Sequence, residues 1–327
     1  MIRKLIFFIL YNIGIPSLLR RKMVNEKEIA VLLFHRISNH SDSLWPSMPV
    51  KSFEKLILKL NETTQISSFS DLKLIKNYPL KPITILSFDD GYSDFFENVM
   101  PLFKAHKIKA NHNICPGLIE LNAPPWTQIL SLYLSYKTSE NESFNSKMLI
   151  GRNDIFNEIK FITLCEKLLN LNDSERDELI HPLLNHIPKN KIYTLMNWNQ
   201  IKYCIENNIE IGSHGYLHRN LLQVWDDKIL ENEINESSSI IESKTGIKPS
   251  IFAFANAMGN DESKKIAKKS SYQFILIRMD QLLKWCPILK DEIIEIPRIN
   301  IYRKDWREEY LRALGFHARI KQFFKFI

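Results

Sequence analysis

The stretch Ile83-Thr84-Ile85-Leu86-Ser87-Phe88-Asp89-Asp90-Gly91 decides the fold. Its first six residues run without the polar alternation of a half-exposed strand, as expected of a strand buried on both faces of a parallel sheet. The run stops at two adjacent carboxylates and a glycine, and helical spacing follows from about Asp94 to Lys107. Strand, sharp turn and helix make one βα unit, and α/β barrels collect their catalytic groups at the carboxyl ends of such strands. Neighbouring negative charges there repel unless a cation lies beside them. On its own, Asp-Asp-Gly reads first as a turn followed by a helix cap, because Asp-Gly pairs are common turn formers.

The same rhythm extends in both directions. Ile29 to Phe34 reads as a strand ending at His35, and Phe53 to Leu60 has helical spacing with Ser52 as its N-cap. Further strands are expected at Ile108 to Ile114, Ile209 to Gly212, Ile251 to Phe254, Phe274 to Ile277 and Ile293 to Ile296. A helix near Trp198 to Asn207 and a charged one from Asp226 to Thr245, closed by Gly246, lie between them. About seven βα repeats with no Gly/Pro/Ser linker predict a single (β/α) barrel. Residues 122–195 read as a helical insertion of the kind that shapes an active-site rim.

Composition agrees with a packed globular body: 327 residues, 45% hydrophobic and 25% charged, with no low-complexity tract. The net charge of +7 comes without a finger, RNP or P-loop pattern, so no nucleic-acid partner is expected. Much of the charge sits near the ends, in Arg20, Arg21, Lys22, Arg319, Lys321 and Lys325, among aromatic and aliphatic residues. That pattern suits peripheral contact with an anionic membrane, or simply a solvated basic surface. The opening MIRKLIFFILYNIGIPSLLRRK is interrupted by Asn12, Gly14 and Pro16, and falls short of the roughly 20 apolar residues of a spanning helix. Residues 1–28 therefore read as an interfacial anchor, with an uncleaved signal anchor or a packed helix as alternatives, and residues 304–327 as a basic amphipathic tail. A cytoplasmic or membrane-associated location is favoured over export with an uncleaved anchor. Cys115, Cys165, Cys204 and Cys286 are scattered, without a metal or disulfide spacing, and are expected as buried fillers.

The second chemical signal is Ser213-His214-Gly215-Tyr216-Leu217-His218 at another strand end. Histidines four apart can face one way in a helical turn and grip one ion, although a surface pair fits the spacing as well. Together with one of the two aspartates they make three protein ligands with a position open for water, the arrangement of a catalytic zinc site. The other carboxylate can then serve as base.

At this point the chain strongly resembles the polysaccharide deacetylase family, the NodB-homology group. Ser87-Phe88-Asp89-Asp90-Gly91 resembles its T-F-D-D-G motif, and Ser213 to His218 resembles its S-H-[ST]-x-x-H motif. Val31 to Arg36 is similar to the L-x-Y-H-R-V opening, and Glu233 to Phe254 to the E-I-x-x-S, T-G-x-x-P and F-A-Y-P-x-G segment. The resemblance implies that Asp90, His214 and His218 hold a divalent metal, most commonly zinc, and that Asp89 is the general base. It covers residues 29–303 and implies hydrolysis of an acetamide on a sugar, on a distorted (β/α) barrel of about seven parallel strands.

Three features depart from the pattern. Phe254-Ala255-Asn256 stands where the family has a proline-containing loop that helps form the acetyl and oxyanion site. No clear match exists for the late histidine that supplies a general acid; His317 lies in the basic tail, and His35 is the better-placed candidate for substrate or proton handling, or else a core histidine. Arg298, in Pro297-Arg298-Ile299, is expected to pair with Asp89 and keep it ionised, or to make an ordinary salt bridge. The expected substrate is a sugar of a cell-envelope polysaccharide or its lipid-linked precursor. A deacylase for O-acetyl or formyl groups and a catalytically silent glycan-binding barrel are the alternatives.

Overall fold

The computed structural model describes residues 2–40, 44–45, 47–139, 158–222, 224, 226–257, 259–270, 272–287 and 293–325. Among the described residues nine strands form: β1 Glu28–Phe34, β2 Gln65–Ile66, β3 Ile83–Phe88, β4 Ala110–Ile114, β5 Ile209–Ser213, β6 Ile251–Ala253, β7 Phe274–Arg278, β8 Leu283–Lys284 and β9 Ile294–Asn300. Seven of them, β1, β3, β4, β5, β6, β7 and β9, pair in parallel in that order, and β9 returns to β1 through Leu32 opposite Ile299, closing the barrel. The fold is the distorted seven-stranded (β/α) barrel that the sequence predicts. Short β2 runs beside the start of β3, and β8 lies antiparallel to the start of β1.

Every residue of β1 and β3 is buried, because the barrel interior lies on one side and helices on the other. Outside, Phe34 stacks on Phe88 at 5.0 Å, and Phe53, Phe95 and Phe103 close around them. Phe88 therefore faces out, Ser87 faces in, and the next inward position is Asp89. β4, Ala-Asn-His-Asn-Ile, is wholly buried despite its polarity. Its alternate residues Asn111 and Asn113 bond each other at 3.0 Å inside the barrel, while His112 packs outward against Phe95 at 4.4 Å.

Several local expectations are corrected. The first barrel helix is Val50–Thr63, with Pro49 rather than Ser52 at the N-cap; Ser52 Oγ instead donates to the Lys304 carbonyl at 2.8 Å. The segment expected as one helix from Asp226 to Thr245 contains a wide π-turn at Asn232–Glu236, which turns Glu233 inward before the helix ends at Gly246, φ 77°. Cys286 is exposed rather than buried.

Between β4 and β5 stand the helices Trp126–Ser139, Glu158–Leu169 and Asp173–Ile180, packed on their own apolar cluster around Ile129, Phe161 and Leu168. At the amino end the helices Ile2–Asn12 and Ile15–Asn25 meet at a 64° bend, and no single helix among the described residues is long and apolar enough to cross a membrane. Phe7 and Met23 are buried against the body, and Arg3 pairs with Glu308 of the helix Trp306–Ala313.

Candidate active site

The two motifs meet at the carboxyl end of the barrel. Asp90 Oδ1 lies 3.4 Å from His214 Nε2 and 3.3 Å from His218 Nε2, and one donor atom of each of the three lies within 4.8 Å of the others. A tetrahedral ion with bonds of about 2.0 to 2.2 Å separates its ligand atoms by about 3.3 to 3.6 Å, so the spacing suits a divalent cation. Asp90 Oδ1 is also buried without a hydrogen-bond partner, a costly state that a cation would relieve. His214 Nδ1 is 2.8 Å from the Ala253 carbonyl; donating there leaves Nε2 as a lone pair facing the cluster.

Backbone conformation makes this convergence possible. Strand alternation would send Asp89 and Asp90 to opposite sides, but Asp90 is left-handed at φ 75° and Gly91 at φ 83°, which swings both carboxylates to the barrel mouth. The histidines do not share the helical turn expected for them. They sit on a loop in which Gly215 has φ 82° and His218 φ 61°. Non-glycine residues held this way cost free energy and cluster at functional sites.

The loop is braced by Glu233, whose carboxylate accepts from the Tyr216 N–H at 2.9 Å and the Leu217 N–H at 3.0 Å. Burial raises the Glu233 pKa to about 7, against the opposing effect of these bonds and of Arg219. A Cβ on Gly215 would stand 2.7 Å from Glu233 Oε2, so the glycine is required by space as well as by φ.

Asp89 has different partners from this cluster. Its Oδ1 accepts from Arg298 Nη1 at 2.7 Å and from Asn113 Nδ2 at 2.7 Å, while Oδ2 lies 3.6 Å from His214 Nε2. Burial raises its pKa, yet Arg298, itself 1% exposed, with His214 and His35 outweighs that and holds the carboxyl well below the usual range. Ser87 Oγ, bonded to Asn111 Oδ1 at 2.8 Å, and Arg298 Nη1 at 3.3 Å from Ser87 Oγ complete a polar net inside the barrel. Sequence reasoning singled out Arg298 but missed Asn111 and Asn113. Polar residues at alternate positions of a strand that must be buried were the available signal. Glu233 was noted only as part of a family segment.

A cavity of about 460 Å³ opens on this cluster. His35 lines it, with its ring edge-on to Trp45 at 6.3 Å; burial lowers its pKa, against the pull of Asp90 and Asp89, and keeps the imidazole neutral. Trp126, Phe161 and Glu166 bring the insertion into the wall. Phe254 and Asn256 also line it, whereas Ala255 is buried. The Phe254 N–H donates to Leu276 O at 3.2 Å and is not free for a substrate oxygen. Asn256 has φ 57°, and Gly259 lies so close to Phe254 that a Cβ there would be 2.3 Å from its ring. His317 is elsewhere, stacked on Phe7 at 5.6 Å.

The family model described as polysaccharide deacetylase matches residues 179–275, which include both histidines and the 254–256 loop. No curated protein matches the chain. Among solved structures, the Streptococcus pyogenes deacetylase PplD in complex with acetate has a TM-score of 0.59 at 15% identity, covering 88% of this chain and 98% of its own. BC0361, a polysaccharide deacetylase from Bacillus cereus, has 0.56 at 15%, covering 88% and 69%. IcaB from Ammonifex degensii has 0.55 at 13%, covering 88% and 97%. At these identities the likeness carries the fold alone, and the family match spans less than a third of the chain. The chain is thus similar to polysaccharide deacetylases over residues 179–275, and the Asp-Asp-Gly turn outside that match completes the cluster of Asp90, His214 and His218.

Proposed function

We propose that the protein is a zinc-dependent N-deacetylase acting on a sugar of a cell-envelope polysaccharide or its lipid-linked precursor, at a membrane surface. The carrying observation is the pair of neighbouring carboxylates with separated tasks: Asp90 faces two imidazoles at ligand spacing, and Asp89 is held back by Arg298 and Asn113. Asp90, His214 and His218 would hold the ion, which when bound supplies a Lewis acid for the acyl oxygen and lowers the pKa of water to about 7.

The chain's own residues do the rest. Arg298 keeps Asp89 ionised and, with Asn113, occupies Oδ1, so Oδ2 is the oxygen that takes the proton of the attacking water. Arg298 weakens the base while fixing its direction. The new C–O bond forms first, as the carbonyl π bond opens to an oxyanion; collapse of that tetrahedral carbon then breaks the C–N bond, leaving acetate and a sugar amine that takes up a proton. His35, neutral on the cavity wall, is the candidate to hold the sugar or pass that proton. Acetate, with which the Streptococcus pyogenes deacetylase was solved, is the product expected here.

The oxyanion donor must be sought among the backbone N–H groups after Phe254, since the Phe254 N–H is committed to β7. This favours, as a second reading, an acyl group other than acetyl. The test is acetate and formate release from acylated glycans with and without a chelator, in wild type and two variants. Asp89→Asn should keep zinc but lose about 10² to 10⁴ in turnover, and Asp90→Asn should lose zinc as well. Equal zinc loss in both variants would refute the division of roles.

A further inference from the structure

A second cavity, of about 540 Å³, lies between the helix Ile2–Asn12 and the first turns of Val50–Thr63 and Trp306–Ala313. Its charge is one-sided: Lys4, Lys51, Lys55, Lys304 and Arg307 against the single carboxylate Asp305. Lys51 and Lys55 are four apart on one helix face. The four lysines are exposed, and none has a carboxylate partner among the described residues. Asp305 is engaged as the cap of its helix, accepting from the Arg307 N–H at 2.9 Å, and Arg307 lies over the rings of Phe8 and Trp306 at 5.3 and 5.0 Å. Unpaired like charges gathered in one groove repel, and an anion relieves them.

The groove adjoins two other features. Ile2, Leu5, Ile6, Ile9 and Ile13 follow one stripe of the first helix, turned away from the packed face that holds Phe7. They are between 47% and 75% exposed, a bare apolar face of the kind that lies in a lipid interface beside basic residues. On the other side is the catalytic cavity. Tyr302 and Met48 line that cavity, while Lys304 and Lys51 line the groove. At 3.8 Å between successive Cα atoms, these pairs are at most about 8 and about 11 Å apart. The Ser52 to Lys304 hydrogen bond ties the two edges together.

We infer that this groove binds the phosphate of a lipid at an anionic bilayer, with the Ile2–Ile13 stripe inserted alongside, so that the catalytic mouth is presented to a substrate borne on a lipid phosphate. The inference rests on the reading of the cavity as a deacetylase site for a membrane-borne glycan. It narrows that reading to sugars whose phosphate stays at the membrane plane while the acyl group enters the barrel.

The test is co-sedimentation of the full-length protein with phosphatidylcholine vesicles, with and without phosphatidylglycerol. It compares wild type with the combined variant Lys51→Glu, Lys55→Glu, Lys304→Glu. Each lysine near an anionic surface is worth about a fivefold factor in partitioning, so the variant should bind phosphatidylglycerol vesicles at least about 100-fold more weakly. Both proteins should release acetate equally from a soluble acetylated oligosaccharide. Equal vesicle binding by both proteins would overturn the inference, as would wild-type binding indifferent to phosphatidylglycerol. Release of wild type from vesicles by inorganic phosphate, at matched ionic strength, would mark a free-anion site and overturn the lipid assignment. Should neither protein act on the oligosaccharide, the deacetylase reading fails, while the vesicle result still decides the groove.

Discussion

Replacing Glu233 by glutamine should loosen the metal site without touching any ligand. The carboxylate meets two neighbouring N–H donors, Tyr216 at 2.9 Å and Leu217 at 3.0 Å, and glutamine offers only one acceptor oxygen. With that oxygen on Tyr216, the amide NH₂ faces the Leu217 N–H donor to donor. The 3.0 Å bond, charge-assisted where Glu233 is ionised and worth about 1.5 to 3 kcal/mol, is lost, and the Leu217 N–H keeps only its longer 3.2 Å contact with the oxygen that Tyr216 also uses. The loop can escape by moving, and His218, next to Leu217, moves with it. Groups that orient metal ligands typically change affinity by about 10- to 100-fold, so the zinc dissociation constant should rise by that factor in a chelator competition. Turnover at limiting zinc should fall in parallel and recover in excess zinc. Phe103→Leu, on the outer aromatic cluster, provides the control: it should lower the melting temperature and leave zinc affinity unchanged. An unchanged zinc affinity in Glu233→Gln would refute the bracing argument.

Gly215→Ala should act on the same loop, because the new Cβ meets Glu233 Oε2 and a left-handed alanine costs about 1 to 2 kcal/mol; zinc affinity close to wild type would contradict this. His317 has its pKa lowered to about 4, first by burial and then by Arg312. Because the folded value is below the ordinary one, its stabilising contribution is present above about pH 6.5 and is lost as pH falls toward 4. Its full shift corresponds to at most about 3 kcal/mol, and partial exposure reduces that, so His317→Leu should flatten the acid side of a stability-against-pH curve; the same curve in both proteins would exclude it. Ala255→Pro fixes φ at the start of the altered loop and should change the relative turnover of acetyl and formyl substrates, whereas an identical ratio and rate would remove this loop from acyl selection.

The barrel was legible in the sequence because its strands are buried on both faces and so read as uninterrupted apolar runs, Ile83 to Phe88 most clearly. The meeting of Asp90, His214 and His218 was legible because Asp89-Asp90-Gly91 and His214 to His218 each end such a run, and parallel strands bring their ends together. What only tertiary structure decided depends on pairs far apart in the chain. Asp89 receives its direction from Asn113 and from Arg298, 209 residues away, and the histidine loop receives its shape from Glu233. The left-handed turns at Asp90 and His218 also lay outside the sequence reading, since Asp and His tolerate that conformation without requiring it and the surrounding contacts hold them there. For the same reason Ser52, which reads locally as a helix cap, is instead a tie to Lys304, because a hydroxyl bonds whichever carbonyl the folded chain brings to it.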